Sequence, residues 1–149
     1  MLNVAMAKAI YTAEATVTGG RAEGRGVTSD GALDLQLRPP ASDGDPAGTN
    51  PEQLFAVGYA ACFEGALGVV ARRAKLEAGD VAIDSEVSLS PDGQGGFFLS
   101  VGLDVTLPSV ADAAAAVELV RAAHQVCPYS NATRGNIEVT LTANGAPVE

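Results

Sequence analysis

Cys62 and Cys127 are the only thiols in a chain of 149 residues. A thiol attacks only as the thiolate, so its surroundings decide whether it reacts. Between Glu52 and Glu64, the stretch that holds Cys62, no residue carries a charge. Burial among apolar side chains raises a thiol pKa and favours the inert protonated form. A helix dipole does not correct this, because Cys62 falls about three turns into the helix expected here and the dipole effect fades within the first. Activation needs a cation from elsewhere. Among nine Lys and Arg residues, Arg21 is the best placed, since Gly19-Gly20 let the backbone turn tightly and aim its side chain inward. Arg25 and Arg134 are the reserves. Glu52 can orient an arginine through a bidentate, charge-assisted pair, although an acid in the first turn of a helix also serves capping and the dipole. Along a straight helix Glu52 and Cys62 are about 15 Å apart. A bridging arginine, a bend or a second subunit must close that gap.

Cys127 precedes Pro128, at the expected end of a helix, and His124 lies one turn before it. A histidine there can act as a base or be packed as an ordinary helix residue. Cys62, Cys127, His124 and an acid are enough for a metal site, but neither CxxC nor HxxxH spacing is present. A Cys–His hydrolase lacks a clearly placed third residue to orient the histidine. A buried, inert Cys62 is the structural alternative.

The elements that must position these groups follow from pattern. Thr49 or Asn50 can cap a helix with Pro51 at its first position. The apolar run to Arg72 and Arg73 predicts a long helix, buried on every side. Gly58, Cys62, Gly65 and Gly68 form a narrow seam of small residues where another helix can approach. Residues 9–18 read as a strand ending at Gly19-Gly20, and Val27 to Leu37 as a hairpin around Asp30-Gly31. Residues 39–50 are a turn-rich loop. Val81 to Leu89 and Phe97 to Leu107 alternate as strands about a turn at Pro91–Gly96. Ser109 and Asp112 resemble a capping box for a helix through Val110, Ala113, Val117, Val120, His124 and Cys127, which Pro128 ends. Ile137, Val139 and Leu141 close the chain as a strand. The order β-β-β-α-β-β-α-β, with strands in pairs, predicts an α+β fold with antiparallel sheets in a single domain over 1–149, residues 1–8 standing outside it as an extension without fixed structure.

A net charge of −9 and a pI near 4.4 argue against nucleic acid or an anionic membrane surface as partner. The long helix is too rich in Gly, and too polar at Glu64, to read as a membrane span, and the first residues lack the pattern of a secretory signal. A cytoplasmic location is expected, and there two cysteines are reactive or inert rather than a structural staple.

Two stretches resemble a known family: Thr49-Asn50-Pro51-Glu52-Gln53-Leu54-Phe55 continuing to Tyr59-Ala60-Ala61-Cys62-Phe63, and Ala123-His124-Gln125-Val126-Cys127-Pro128-Tyr129-Ser130-Asn131-Ala132-Thr133-Arg134-Gly135-Asn136. They are similar to the organic hydroperoxide resistance proteins of the OsmC/Ohr superfamily, and the similarity runs from Tyr11 to the last strand. It implies antiparallel sheets wrapped around a long central helix, in an intertwined homodimer. It also implies a thiol peroxidase that reduces alkyl and fatty-acid hydroperoxides to alcohols. Cys62 would be the peroxidatic cysteine, Cys127 the resolving one, and Arg21 and Glu52 the pair that supports the thiolate. The implied reductant is external, a dihydrolipoyl group on a lipoylated protein, with no metal, haem or flavin. An apolar wall drawn from Leu54, Phe55, Tyr59, Phe63, Phe97 and Phe98 would favour alkyl hydroperoxides. The alternatives are an OsmC-type peroxidase of broader range and a non-catalytic redox switch.

Overall fold

Alternation from Phe97 to Thr106 yields one of the two longest strands. In the computed structural model, which describes residues 7–44 and 46–149, the elements run β1 (Ala15–Thr18), α1 (Gly20–Glu23), β2 (Arg25–Thr28), β3 (Asp34–Gln36), α2 (Pro51–Arg73), β4 (Ala82–Pro91), β5 (Phe97–Thr106), α3 (Ala113–Val126), α4 (Pro128–Thr133), β6 (Val139–Ala143) and β7 (Ala146–Val148). The chain divides into two compact units between Pro51 and Glu52. Of the expected N-terminal extension, residues 1–6 lie outside the described residues, while Ala7 and Lys8 belong to no helix or strand.

The first unit is a three-stranded antiparallel sheet, β1-β2-β3. Its opening strand is shorter than the alternation suggested, and Gly19-Gly20 lead into α1 rather than a plain turn. Both glycines have positive φ, 79° and 76°, which L side chains rarely adopt. Across β2 and β3, Arg25 donates from Nε and Nη2 to the two Asp34 carboxylate oxygens at 2.7 and 2.6 Å. This pair holds the Asp34 carboxyl below the usual carboxylate range.

The second unit holds the core. Its sheet runs β4-β5-β6-β7, with β5 and β6 parallel and the other pairs antiparallel. This corrects the expectation of antiparallel pairing throughout. A parallel neighbour needs a crossover, and α3 and α4 supply it. Val101, Leu103 and Val105 are buried, while Asp104 and Thr106, each one step along from a buried residue, are exposed, as period-two strands require. The buried face meets Phe63, Leu67 and Val70 of α2 and Leu119, Val120 and Ala123 of α3 in one cluster.

Two readings of the helices are revised. The α2 helix is long and apolar enough to cross a bilayer by length and composition, yet it is not buried all round. Tyr59, Phe63, Ala66, Leu67, Val70 and Ala71 form its buried stripe, recurring every three to four residues. On another face Leu54 is 39% and Val57 71% exposed, near exposed Ala61 and Gly65. Helix α3 begins at Ala113, not Val110, because the Asp112 side chain accepts from the Ala114 N–H and so acts as the cap itself.

Candidate active site

Pro128 has no N–H to continue α3 and forces the residue before it toward extended backbone. Cys127 accordingly has φ −64° and ψ 124°, closing one helix and opening the next. Its N–H donates to the Ala123 carbonyl at 2.9 Å, and its carbonyl accepts from Asn131 N–H at 3.0 Å. Pro128 then occupies the first turn of α4, where a missing donor costs nothing. This corner delivers a fully buried thiol to the side of α2. Cys127 Sγ lies 3.6 Å from Cys62 Sγ, and both cysteines are free thiols. Cys127 is sealed, while Cys62 is only partly buried. A disulfide bond is about 2.05 Å long, so these sulfurs stand one small side-chain movement from bonding.

Burial is the largest influence on the Cys62 thiol and pushes its pKa up; the main-chain N–H of Tyr129 works against this, and neighbouring Cys127 adds to the rise. Within this unit the burial effect prevails, as expected for a thiol on an apolar helix. Tyr129 also shapes the ground beside Cys62. A Cβ at Gly58 would lie 3.0 Å from Tyr129 Oη, so the missing side chain admits the Tyr129 ring against α2. The small-residue seam thus serves α4 at Gly58, whereas Gly65 faces open space. Phe55, Tyr59 and Tyr129 form an aromatic cluster with centroids 5.7 to 6.1 Å apart.

Against this cluster lies an apolar cavity of about 860 Å³, walled by Phe55, Leu89, Phe97, Phe98 and Tyr129 among others. Its lining includes Pro128, the residue after Cys127, although neither cysteine is part of it. Of the six residues expected in an apolar wall, Phe55, Phe97 and Phe98 are on the cavity. Tyr59 and Phe63 are fully buried in the core and Leu54 is exposed, so these three are not part of its lining. Tyr59 and Phe63 follow Phe55 in steps of four along the same side of α2 but sit deeper in the core, whereas Leu54 is turned to another face.

Arg21 lies on α1 in the first unit, and Glu52 in the first turn of α2 in the second; each engages in an interaction. The two reserve arginines have other attachments. Arg25 holds Asp34, and Arg134 Nη1 donates to the His124 carbonyl at 2.8 Å. The His124 imidazole is partly buried with Nδ1 unbonded, and burial followed by the Arg134 charge lowers its pKa. Among the described residues no group of three or more His, Cys, Asp and Glu is arranged to hold a metal ion.

Three residues gain importance that spacing alone did not confer: Tyr129, Ser130 and Thr133. The hydroxyls of Ser130 and Thr133 are buried in contact with the Tyr59 hydroxyl. The readable signal is a proline at the first helical position followed by hydroxyl residues three apart, which fall on one helix face.

Comparison with known proteins places the chain in a family. Residues 42–142 match the family described as OsmC-like protein. The organic hydroperoxide resistance protein of Xanthomonas axonopodis pv. citri is 57% identical over 140 residues, covering 91% of this chain and 95% of that protein. The crystal structure of the organic hydroperoxide resistance protein OhrB of Bacillus subtilis has a TM-score of 0.82 at 49% identity, covering 89% of this chain and 98% of that one. An organic hydroperoxide resistance protein from Elizabethkingia anophelis has a TM-score of 0.83 at 45% identity, covering 91% and 97%. The fold, the paired thiols and these likenesses together establish that the chain belongs to the OsmC-like family, among its organic hydroperoxide resistance proteins.

Proposed function

We propose that the protein is a cysteine-based peroxidase that reduces organic hydroperoxides and so protects against them. The carrying observation is the pair of free thiols 3.6 Å apart, one sealed and one partly accessible, beside an apolar cavity. In the first step the Cys62 thiolate attacks the distal peroxide oxygen. The O–O bond breaks, the alkoxide takes a proton to leave as alcohol, and Cys62 becomes a sulfenic acid. The Cys127 thiol then displaces water from that sulfenic acid, giving a disulfide. An external dithiol restores both thiols, becoming a disulfide itself. Its proposed source is dihydrolipoamide or a lipoylated protein, with no cofactor resident in the chain.

Arg21, oriented by Glu52, is proposed as the cation that offsets the burial of Cys62. The cavity, walled by Phe55, Phe97, Phe98 and Tyr129, is proposed to take the alkyl part of the substrate, since burying apolar surface is worth about 0.8 kcal/mol per CH₂. Hydrogen peroxide gains nothing there. A homodimer is proposed because the apolar face of α2 at Leu54 and Val57 is uncovered in the single chain. The proposed location is the cytoplasm, where a dithiol pool can reset the pair.

The decisive test is turnover with dihydrolipoamide, using tert-butyl or cumene hydroperoxide beside hydrogen peroxide. The expected result is many turnovers per thiol pair and faster consumption of the organic substrates. Equal rates for all three would favour an OsmC-type enzyme of broader range; one stoichiometric oxidation would indicate a redox switch. A second expectation concerns Gly58→Ala. The new methyl group would stand 3.0 Å from Tyr129 Oη, so this ring of the cavity wall must shift slightly, and kcat/KM for cumene hydroperoxide should change relative to tert-butyl hydroperoxide. An unchanged ratio would show that the Tyr129 ring does not limit substrate size.

A further inference from the structure

The contact between α2 and α4 contains three hydroxyl groups withdrawn from water. Tyr59 and Ser130 are fully buried and Thr133 is 5% exposed. Tyr59 Oη lies 2.8 Å from Ser130 Oγ and 3.1 Å from Thr133 Oγ1, and Thr133 Oγ1 donates to the Ser130 carbonyl at 3.3 Å. One arrangement uses every proton: Ser130 donates to Tyr59, Tyr59 to Thr133, and Thr133 to the carbonyl of Ser130. A closed chain of this kind has a single register. Moving α4 by one position along α2 would leave buried hydroxyls unpaired, which is costly, whereas apolar contacts tolerate sliding.

The placement relative to the thiols gives the network its meaning. Tyr59 precedes Cys62 by three residues on α2, and Ser130 follows Cys127 by three at the α4 corner. Each cysteine is therefore about one helical turn along the backbone from a residue of the network. We infer that the Tyr59–Ser130–Thr133 hydroxyl chain is a latch that holds the Cys127 corner against α2, so that the Cys62 sulfenic acid is captured as a disulfide before a second hydroperoxide reaches it. Tyr59 is a positioning residue in this role, acting through the corner and not on substrate. The inference rests on the disulfide step proposed above.

The competing fate is attack by the Cys62 sulfenate on a second hydroperoxide, which breaks another O–O bond, releases a second alcohol and leaves a sulfinic acid that a dithiol does not reverse. Disulfide closure requires no further oxidant and releases water. The hydroperoxide concentration at which the two products are equal thus reports the closure rate relative to the rate constant of overoxidation. It is independent of how much of the protein is active, so a variant that merely lost folded molecules would not move it.

The test is Tyr59→Phe, which keeps the ring and removes only Oη, with Thr133→Val as a second variant of nearly the same shape. Each is exposed to a series of cumene hydroperoxide concentrations and read by intact-protein mass spectrometry, the disulfide as loss of two hydrogens and the sulfinic acid as gain of two oxygens. The crossover concentration should fall about tenfold or more in both variants, since each loses both hydrogen bonds of one buried hydroxyl. Sulfinic acid formation by Tyr59→Phe in a Cys127→Ser background should match that of Cys127→Ser alone. An unmoved crossover in both variants overturns the latch, as does a shift fully accounted for by faster sulfinic acid formation in the Cys127→Ser background. If Cys127→Ser alone resists overoxidation as well as the unmodified protein, the disulfide step itself is wrong and the latch falls with it.

Discussion

Cys62→Ser should reduce hydroperoxide consumption to the uncatalysed level, with Cys127 remaining a free thiol after exposure. Serine is close to cysteine in size, so α2 and the core beside it are kept and the change is chemical. Its hydroxyl is not appreciably ionised near neutral pH and forms no sulfenic acid. The less obvious half of the expectation concerns Cys127, which keeps its thiol in this variant. Its side chain is fully buried at the corner between α3 and α4, and it is absent from the cavity lining. The reactive cysteines of proteins sit in partly exposed surroundings. Mass spectrometry after hydroperoxide treatment would check both parts. Addition of oxygen at Cys127 in this variant would mean that the corner opens more readily than its packing suggests, and the division of labour between the thiols would have to be reversed.

Arg21→Ala should slow the first oxidation at pH 7 and move the inflection of its pH profile upward. A thiol with the ordinary pKa of about 8.5 is only about 3% ionised at pH 7, and burial of Cys62 pushes its thiol above the ordinary range. If the proposed cation keeps Cys62 fully ionised at that pH, its removal costs about thirtyfold in thiolate. A more basic thiolate is also a better nucleophile, which returns part of the loss, so the expected net slowing is about tenfold or more. The sign is specific. Raised pH should restore the variant toward the unmodified rate, because deprotonation is what the arginine promoted. Stopped-flow measurement of Cys62 oxidation between pH 6 and about pH 10, spanning the thiol range, would decide it. A slow variant with an unshifted profile would assign Arg21 to binding the peroxide, and a fast one would remove it from the mechanism. Arg25 and Arg134 are less suited to the task, the first held by both oxygens of Asp34 and the second by the carbonyl of His124.

How much of this was readable from residues alone depended on the range of the forces involved. Pro51 at a helix start, Pro128 at a helix end and the alternation from Phe97 to Thr106 are local signals, and each element formed within a few residues of its expected place. Pairing of strands is not local. Nothing in Val139 or Leu141 says that β6 lies parallel to β5, because that follows from how α3 and α4 return the chain. The Asp112 cap displaced the predicted start of α3 since an Asx side chain two residues from its donor competes with the more distant Ser109. At the site, Cys62 and Cys127 were legible by type, but their 3.6 Å separation depends on the α4 corner. The aromatic wall illustrates the same limit. Hydrophobicity selected Phe55 and Tyr59 alike, yet about one turn of helix sends the first to the cavity and the second into the core.

The incomplete covering of α2 carries a consequence for the protein in its cell. One stripe of the helix is the floor of the chain's own core, while Leu54 and Val57 on another face are partly open to solvent in the single chain. The proposed second copy, by covering this face, would bind the folded chain and not the unfolded one, and so would stabilise the fold by mass action. Resistance to heat and to proteolysis would then rise with the amount of protein made. A cell that increases synthesis would obtain more molecules and also longer-lived ones, whereas dilution would shorten the lifetime of each.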